Sequence, residues 1–317
     1  MENHFDVIVI GAGAAGLTAG IYLSRAKLST LILNEGTVGG QMVLTHEIAN
    51  YPGFESISGY QLARNMKAQA QKFGCVIKSN IRITNLELES KTKSVEVNNK
   101  EVYTSHSIIL ATGGKSRTLG VPGEEKFKGK GISYCATCDG DFFQDKEIIV
   151  VGGGNTALEE AVSLTKYASK VTIVHQFDNF QALEHYVEEA KNNSKINFVM
   201  ESKIIDFSGD ESLQKVRIQN QATQKITEMK VDGVFIFIGY VPNTEKISDK
   251  IALNNYGEII VDKNMATNIA GVYAAGDSIA KRYRQVTTAV ADGTIAALSA
   301  SEYMNELKKK MVHAINN

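Results

Sequence analysis

The stretch 6-DVIVIGAGAAGLTAG-20 decides the fold, and a second stretch, 147-EIIVVGGGNTALEEA-161, repeats it. In each, an apolar run typical of a buried strand meets a G-x-G-x-x-G/A turn, and an alanine-rich run typical of a helix follows. Each then returns to an apolar run, 30-TLIL-33 in the first copy and 171-VTIV-174 in the second. The glycine turns align at a constant offset of 141 residues (152 − 11), which is too long for a repeat array and indicates duplication of a whole domain.

Each copy predicts a strand–turn–helix–strand unit of the kind that binds dinucleotides, with the pyrophosphate on the helix N-terminus. The sequence therefore predicts an α/β protein with two Rossmann-like (three-layer ββα) dinucleotide-binding domains, the second inserted into the first. In this prediction residues 1–116 and 245–317 form the first domain, and residues 117–244 form the second. Pro122 and Pro242 lie near the two crossings, which suits a hinge, although Pro and Gly mark ordinary turns equally well.

The composition argues against several classes of protein. A net charge of −1 over 317 residues gives no global electrostatic reason to bind nucleic acid or an anionic membrane. No apolar run approaches the roughly 18 residues of a membrane span, and the first residues show no signal-peptide pattern. We therefore expect a cytoplasmic protein with no nucleic-acid or membrane partner. Three cysteines in a chain of this length do not make a disulfide framework.

The first glycine turn carries the complete fingerprint of a dinucleotide site. Gly11 suits the tight turn, Gly13 lets the backbone approach a pyrophosphate, and Gly16 allows the helix to pack closely on the strand. Glu35 follows the second strand, 24 residues after Gly11 (35 − 11), where a carboxylate can accept hydrogen bonds from ribose hydroxyls. The alternative is a glycine-rich turn without a ligand. The fingerprint itself does not separate FAD from NAD.

Three further segments favour FAD. The segment 36-GTVGGQMVLTHEIANYPG-53 is rich in glycine and polar groups and could bring backbone close to a flavin. The segment 108-IILATGG-114 is a strand that ends in a turn of small residues. In 271-GVYAAGDS-278, Asp277 follows a strand and precedes a helix, a position from which it could bond a ribityl hydroxyl.

Cys135 and Cys138 form a C-x-x-C motif. Thiols at this spacing can form a small-ring disulfide that exchanges easily, because one thiolate can resolve a mixed disulfide at the other sulfur. A structural metal site needs four ligands, and the remaining Cys75 is expected to be a core residue, so we expect no metal site within one chain. Asp139 follows the motif at a position that suits a turn or helix-capping residue.

Along nearly its whole length the chain resembles the low-molecular-weight thioredoxin reductase family. The matching segments are GAGAAG (11–16), GGQ (39–41), EIANYPGF (47–54), ATGG (111–114), CATCDG (135–140), FIGYVPNT (237–244), AGD (275–277) and YRQVTTAVADG (283–293). The resemblance implies a homodimer with tightly bound FAD. The FAD-binding residues that it implies are Gly11, Gly13, Ala14, Gly16, Glu35, Gly40, Gln41, Asn50, Ala111, Thr112, Gly113, Asp277, Arg284 and Gln285.

In the family pattern the second cysteine of the motif faces the flavin and the first attacks the partner protein. By this resemblance Cys138 receives electrons from FAD, Cys135 attacks the disulfide of thioredoxin, and Asp139 protonates the departing thiolate. Cys138 must reach the flavin and Cys135 must then reach another protein. The resemblance therefore also implies rotation of one domain about the crossings near residues 117 and 244.

The second copy departs from the family's nucleotide site. NADPH-dependent thioredoxin reductases carry a run of the form His-Arg-Arg-x-x-Phe-Arg-Ala at this place, whereas this chain reads 175-HQFDNFQA-182. Arginine side chains grip a 2′-phosphate, so Gln176, Phe177 and Gln181 remove three contacts, each worth on the order of 1.5–3 kcal/mol. Glu35 of the first copy aligns with Gln176, so the ribose carboxylate of an NAD site is missing as well.

The chain therefore most resembles the ferredoxin-dependent branch of the family, in which reduced ferredoxin delivers electrons singly to FAD. Ferredoxins are typically acidic, so we expect a basic docking patch. The candidates are Lys126, Lys128 and Lys130, or Lys281, Arg282 and Arg284. The alternative is an NAD(P)H-dependent thioredoxin reductase with an atypical nucleotide pocket. A flavoprotein that moves electrons between ferredoxin and NADP⁺ would not need the C-x-x-C motif, and a redox sensor ranks last because the FAD and dithiol features are complete.

Overall fold

The computed structural model describes residues 3–45 and 47–315, so His46, within the segment 36–53, and residues 1, 2, 316 and 317 lie outside the described residues. In chain order the elements are β1 (His4–Ile10), α1 (Ala14–Arg25), β2 (Thr30–Asn34), α2 (Gly59–Lys72), β3 (Val76–Ser79), β4 (Ile83–Glu87), β5 (Lys93–Val97), β6 (Glu101–Leu110), β7 (Gly114–Ser116), α3 (Glu124–Phe127), β8 (Ile132–Ser133), α4 (Ala136–Asp139), β9 (Glu147–Val151), α5 (Asn155–Leu164), β10 (Lys170–Val174), α6 (Glu184–Lys191), β11 (Ile196–Val199), β12 (Ser202–Gly209), β13 (Leu213–Asn220), β14 (Ile226–Lys230), β15 (Gly233–Ile236), β16 (Tyr240–Pro242), β17 (Val272–Ala274) and α7 (Val286–Ile315).

The chain divides into two compact units. The first consists of Met1–Lys115 and Val241–Asn317, and the second is Ser116–Tyr240. The sequence had placed the corresponding boundaries after residues 116 and 244. The two short strands at the crossings, β7 and β16, pair with each other as a two-stranded sheet.

The first unit is built on a sheet with the strand order β3-β2-β1-β6-β5-β4, and β17 also pairs with β6. The central strand β1 is parallel to both of its neighbours and buried from Val7 to Ile10, which explains its continuous apolar run. Successive side chains of a strand point to opposite faces. Val7 and Val9 accordingly join a core with α1, α2 and α7, while Ile8 and Ile10 join a core with β4, β5 and the segment 247–279.

The second unit repeats this plan around a parallel sheet with the order β11-β10-β9-β15-β8. One face packs against α5 and α6, and the other packs against the antiparallel sheet β12-β13-β14. In each unit helices thus cover one face of the central sheet. The other face packs against β4, β5 and the segment 247–279 in the first unit and against the sheet β12-β13-β14 in the second. The predicted α/β fold with two Rossmann-like domains is confirmed.

The segment 257-GEIIVD-262 has the composition of a strand but forms none, because Ile259 makes only isolated bridges, to Leu253 and to Ile279. The last helix, α7, spans Val286–Ile315. Among the described residues no helix is long and apolar enough to cross a membrane.

Candidate functional site

The first glycine turn is packed too tightly for a side chain at two of its three glycines. Gly11 has φ +103°, and a Cβ there would lie 2.2 Å from the carbonyl oxygen of Ala111. A Cβ on Gly16 would lie 2.0 Å from the carbonyl oxygen of Gly11. At Gly13, by contrast, a Cβ would meet no other described residue within 4 Å. Its backbone therefore borders open space just before Ala14, the first residue of α1, where free N–H groups favour an anion.

The chain beyond the second strand closes against this turn. The Oδ1 of Asn34, the last residue of β2, accepts a hydrogen bond of 2.9 Å from the N–H of Ala12. The carbonyl oxygen of Ala12 in turn accepts one of 2.8 Å from the N–H of Gly39. A Cβ on Gly40 would lie 3.2 Å from the Cα of Gly13. These contacts place the second predicted glycine segment directly beside the first.

Three parallel strands of the first unit end at one edge of its sheet. Ile10 of β1 pairs with Leu110 of β6, which pairs with Ala274 of β17. The turns that follow these strands include residues 111–113 and Asp277, so these predicted cofactor residues lie at the edge where open α/β sheets bind their ligands.

Asp277 lies in a 3-10 turn just after β17. Its Oδ1 is buried and accepts no hydrogen bond from the described residues, although the Lys281 ammonium lies 3.3 Å away as an ion-pair partner. Burial raises the pKa of the Asp277 carboxyl, against the lowering influence of Lys281. The Oγ1 of Thr112 is likewise buried without a hydrogen-bond partner in the described chain. Buried polar atoms are normally hydrogen-bonded, so two such oxygens at this edge fit a ligand rich in hydroxyl groups, as FAD is.

Other predicted cofactor residues lie nearer the surface of the same unit. The Nδ2 of Asn50 donates a hydrogen bond of 3.2 Å to Oε1 of Gln285, which joins two segments that are 235 residues apart. Gln41 is exposed in the 3-10 helix Gly40–Leu44. Gly113 has φ +63°, and its carbonyl oxygen accepts a hydrogen bond of 2.9 Å from the N–H of Asn243.

Two of the three charges in the second docking candidate of the sequence analysis form ion pairs within the first unit. Arg284 forms an ion pair with Glu258, and Lys281 lies 2.7 Å from a carboxylate oxygen of Asp292. The Lys281 side chain is 13% exposed and that of Arg284 is 23% exposed. Both cations are therefore engaged within the unit, and docking of a partner at this patch stays a prediction.

Glu35 has a cationic neighbour that the sequence did not reveal. Its Oε1 accepts a hydrogen bond of 2.9 Å from the N–H of Ile83 and lies 2.5 Å from the Nζ of Lys246. The same ammonium donates to the carbonyl oxygen of Ile83 at 2.8 Å. Lys246 is 211 residues from Glu35 in sequence, and no local pattern could have connected them.

The redox motif lies in the second unit on a single turn of helix. Cys135 and Cys138 form a disulfide with a Cα–Cα distance of 5.3 Å. Cys135 is the N-cap of α4, and its Sγ accepts a hydrogen bond of 3.2 Å from the N–H of Cys138. Both cysteines are half-buried, whereas Cys75 is buried as expected, and burial raises the pKa of its thiol to about 11. Of the three cysteines, only Cys135 and Cys138 are therefore accessible for exchange with another protein.

Asp139 is the last residue of α4 and the N-cap residue of the 3-10 helix Gly140–Phe143, but its side chain makes no capping bond there and instead contacts a serine. The Oγ of Ser133 donates a hydrogen bond of 2.5 Å to Oδ2 of Asp139 and accepts one of 3.1 Å from the N–H of Cys135. Burial raises the pKa of the Asp139 carboxyl and the Ser133 hydrogen bond lowers it, while nearby Asp141 raises it further. A carboxyl with a raised pKa holds its proton closer to neutral pH, as a general acid should. The sequence analysis did not single out Ser133.

The second glycine turn keeps the backbone of the first. Gly154, like Gly13, is an extended residue that begins its helix, and the nearest atom to its Cβ position is the carbonyl oxygen of Gln181 at 4.0 Å. The turn is closed by a hydrogen bond of 2.8 Å from the N–H of Gln181 to the carbonyl oxygen of Gly153. The N–H of Leu183 also donates to Oδ1 of Asn155 at 2.8 Å.

An aromatic group covers this turn. His175, the residue after β10, is 5% exposed and so close to Gly153 that a Cβ there would lie 2.3 Å from its ring. The ring stacks on Phe180 at 5.6 Å, and Phe177 meets its edge at 5.4 Å. Burial lowers the pKa of His175, so the imidazole is neutral at pH 7. The side chains of Gln176, Phe177 and Gln181, which stand where the arginines are missing, are all exposed.

The predicted cofactor residues thus all lie in the first unit, and Cys135, Cys138 and Asp139 all lie in the second. The sequence profile of the pyridine nucleotide-disulphide oxidoreductase family matches residues 5–293. The chain belongs to this family. Its members are flavoproteins that bind FAD.

Within this family, several similar proteins are thioredoxin reductases. The chain is 46% identical over 303 residues to the 34.2 kDa protein in the rubredoxin operon of Clostridium pasteurianum, covering 96% of this chain and 98% of that protein. It is 45% identical over 311 residues to the thioredoxin reductase of Peptoclostridium acidaminophilum, with the same coverage. The crystal structure of thioredoxin reductase from Streptococcus pyogenes matches with a TM-score of 0.93 and 39% identity, covering 96% of this chain and 100% of that one. The resemblance to thioredoxin reductases inferred from the motifs is confirmed.

Proposed function

We propose that this chain is a thioredoxin-disulfide reductase that works through FAD and the Cys135–Cys138 pair and takes its electrons from reduced ferredoxin. The observation that carries the choice of donor is the loop 175–182, where Gln176, Phe177 and Gln181 are exposed and neutral. His175 is the only basic residue of that loop, and it is buried and uncharged. A 2′-phosphate would find no cation there and would face Asp178 instead.

FAD fits the first unit on the evidence of the open Gly13 backbone and the buried oxygens of Thr112 and Asp277. We assign the pyrophosphate to the N-terminus of α1 and a ribose to Glu35. When bound, FAD supplies a carrier that can accept electrons singly and pass them on in pairs. The resemblance to thioredoxin reductases also leads us to propose a homodimer.

The residues of the cysteine turn then perform disulfide exchange. In the reduced dithiol form, the Cys135 thiolate attacks one sulfur of the thioredoxin disulfide and displaces the other as a thiolate. Asp139 donates its proton to that departing thiolate, and the Ser133 hydroxyl holds the carboxyl beside the cysteine turn. The Asp139 carboxylate then accepts the proton of the Cys138 thiol, and the Cys138 thiolate attacks the Cys135 sulfur. The second thioredoxin sulfur departs as a thiolate and receives that proton from Asp139, which releases thioredoxin as a dithiol and restores the disulfide. Two electrons and two protons have then passed to thioredoxin.

The second candidate is an NAD(P)H-dependent thioredoxin reductase with an atypical pocket. One observation favours it, namely that the second glycine turn keeps an extended, uncovered Gly154 at the start of α5. Packing of strand on helix requires the same small residues, however. A Cβ on Gly152 would lie 2.3 Å from the carbonyl oxygen of Phe237, whether or not a nucleotide binds.

Anaerobic flavin absorbance separates the two candidates. We expect reduced ferredoxin to bleach the flavin of the purified protein, and millimolar NADPH or NADH to leave it yellow. We also expect the triple variant Gln176→Arg, Phe177→Arg, Gln181→Arg to gain bleaching by NADPH, because all three side chains are exposed and the glycine turn is intact.

A matched control adds the same charge elsewhere on the second unit, at the exposed residues Ser212, Gln214 and Ala222. This control should gain nothing with NADPH. Prompt bleaching of the unmodified protein by NADPH would contradict the proposal and establish the second candidate. Failure of ferredoxin to bleach the flavin would also overturn the proposed donor.

A further inference from the structure

The strongest feature outside the family motifs is the cation on Glu35. Lys246 belongs to the segment that returns to the first unit after β16. Its ammonium contacts Oε1 of Glu35 at 2.5 Å and the carbonyl oxygen of Ile83 at 2.8 Å, while the N–H of Ile83 donates to the same Oε1 at 2.9 Å. Oε1 of Glu35, the Lys246 ammonium and the backbone of Ile83 thus form a closed ring of three hydrogen bonds, two of which end on the carboxylate oxygen.

We propose that Lys246 is a positioning residue for FAD, which fixes the Glu35 carboxylate in the orientation that binds the ribose hydroxyls. The inference rests on the ribose role proposed above for Glu35. It assigns part of the cofactor site to the second segment of the discontinuous unit, because Glu35 comes from residues 1–115 and Lys246 from residues 241–317.

The two oxygens of the Glu35 carboxylate have different contacts, which supports this role. Both contacts that the structure gives for Glu35 fall on Oε1, which leaves Oε2 available to a ribose hydroxyl. Glu35 and Lys246 are each nearly half exposed, at 45% and 49% of their side chains. A carboxylate so exposed would otherwise sample several rotamers, and binding a ligand would require one of them to be selected. The backbone contacts of Ile83 make this arrangement more specific than an ordinary surface ion pair.

The effect expected from such positioning is moderate. Fixing one flexible side chain before binding is worth roughly a two- to tenfold gain in affinity. Removing the Lys246 ammonium should therefore raise the dissociation constant of FAD by that factor without unfolding the unit. The segment around Lys246 is held independently by Ile247 and Ile251, which are buried in the core on the β4–β5 side of the sheet.

Lys250 supplies a matched control. It lies four residues further along the same segment and also reaches β4, where its Nζ donates to the carbonyl oxygen of Leu86 at 2.5 Å and to Oδ1 of Asn85 at 3.4 Å. It makes the same type of link between the segment and β4, but its recorded partners do not include Glu35. Lys246→Ala and Lys250→Ala therefore remove equal charge from one surface and differ in the contact with Glu35.

The experiment measures the dissociation constant of FAD from the holoprotein through the rise in flavin fluorescence on release, with no donor or thioredoxin present. We expect Lys246→Ala to weaken FAD binding roughly two- to tenfold and Lys250→Ala to leave it unchanged. Glu35→Gln should weaken binding as well, and Lys246→Ala should add nothing in that background, because Lys246 acts through Glu35. Lys246→Arg should retain most of the affinity.

Several results would overturn the inference. Equal losses in Lys246→Ala and Lys250→Ala would show that the link to β4 matters and the contact with Glu35 does not. Tighter FAD binding in Lys246→Ala would show that the ammonium competes with the ribose. If Glu35→Gln weakens binding and Lys246→Ala does not, only the role of Lys246 fails. If neither weakens it, the proposed role of Glu35 fails too, while the proposed donor and substrate remain open to their own tests.

Discussion

The two glycine turns share a backbone and differ in what the chain places over it. Both start their helix from an extended glycine, Gly13 in the first unit and Gly154 in the second. In both, the carbonyl oxygen of the middle residue accepts an N–H at 2.8 Å from the loop beyond the second strand. The two turns differ in the residue at the end of the second strand. In the first unit this is Asn34, the last residue of β2, and at the equivalent position of the second unit it is His175, just after β10.

That one difference changes the surface offered to a ligand. Oδ1 of Asn34 accepts a hydrogen bond from the N–H of Ala12, and the next residue is Glu35, a carboxylate. His175 lays its ring over Gly153, and the next residue is the neutral Gln176. The glycines of such a turn are therefore evidence for the fold, because strand and helix need them to pack. Evidence for the ligand comes from the side chains just beyond the second strand.

The largest expected difference between the two turns comes from placing a negative charge at Gly13 or at Gly154. Gly13→Asp should lower the affinity for FAD by at least about a hundredfold, the equivalent of two charge-assisted hydrogen bonds to the pyrophosphate. Gly154→Asp should leave FAD retention and ferredoxin-driven turnover unchanged. Both sites have room for a side chain, so Gly13→Ala and Gly154→Ala serve as uncharged controls. FAD content after gel filtration and turnover with thioredoxin report the result. Turnover driven by NADPH that Gly154→Asp abolishes and Gly154→Ala retains would mean that the second turn does bind a nucleotide.

FAD binding should depend on the glycine turn of the first unit, and thioredoxin reduction should depend on the cysteine turn of the second. Asp139→Asn should lower thioredoxin reduction about a hundredfold, the usual contribution of a general acid. Because the pKa of Asp139 is raised by burial, its acid form persists toward neutral pH, and wild-type turnover should fall as pH rises past that pKa. The Asn variant should lack this falling limb. Ser133→Ala removes a hydrogen bond that lowers the pKa, so its limb should move to higher pH. An unchanged pH profile in Asp139→Asn would assign the acid role to another group.

The packing of each turn against the residue after its second strand can be tested by placing the Ala12–Asn34 pair of the first unit at positions 153 and 175 of the second. Gly153→Ala should destabilise the second unit by about 1–3 kcal/mol, the usual range for overpacking, because the new Cβ would lie 2.3 Å from the His175 ring. Adding His175→Asn recreates the Ala12–Asn34 pair of the first unit and should recover most of that loss. Urea unfolding followed by far-UV circular dichroism measures both variants. If the double variant is no more stable than Gly153→Ala, the two turns are not interchangeable in this respect.

The sequence was sufficient to predict the architecture and the residues of both turns. The duplication, the parallel strands and the cysteine pair are local patterns, and each survives in the structure. Strand–turn–helix signals depend on small residues at fixed spacing, which a single sequence displays directly.

The partners of the functional residues could not be predicted in the same way. Lys246 on Glu35 and Gln285 on Asn50 join residues more than 200 positions apart, and no periodicity links them. Ser133 is close to Asp139 in sequence, yet its role depends on the path of the chain between β8 and α4. The run 257–262 has a strand's composition but pairs only through isolated bridges, because pairing depends on neighbours that composition does not specify.

The smallest expected effect is on stability at low pH. His175 can take up a proton and so make the stability of the second unit depend on pH, whereas Asn34 of the first unit cannot. Burial lowers the pKa of His175 below its ordinary value of 6.5. The unfolded chain therefore binds a proton at a higher pH than the folded chain, and this group's contribution to stability is complete above pH 6.5 and lost as pH falls through the folded pKa. The free energy of unfolding should thus drop more between pH 7.5 and 5.5 in the wild type than in the Gly153→Ala/His175→Asn variant. Urea midpoints at the two pH values measure the difference, and equal drops would show that protonation of His175 does not disturb the cover over Gly153.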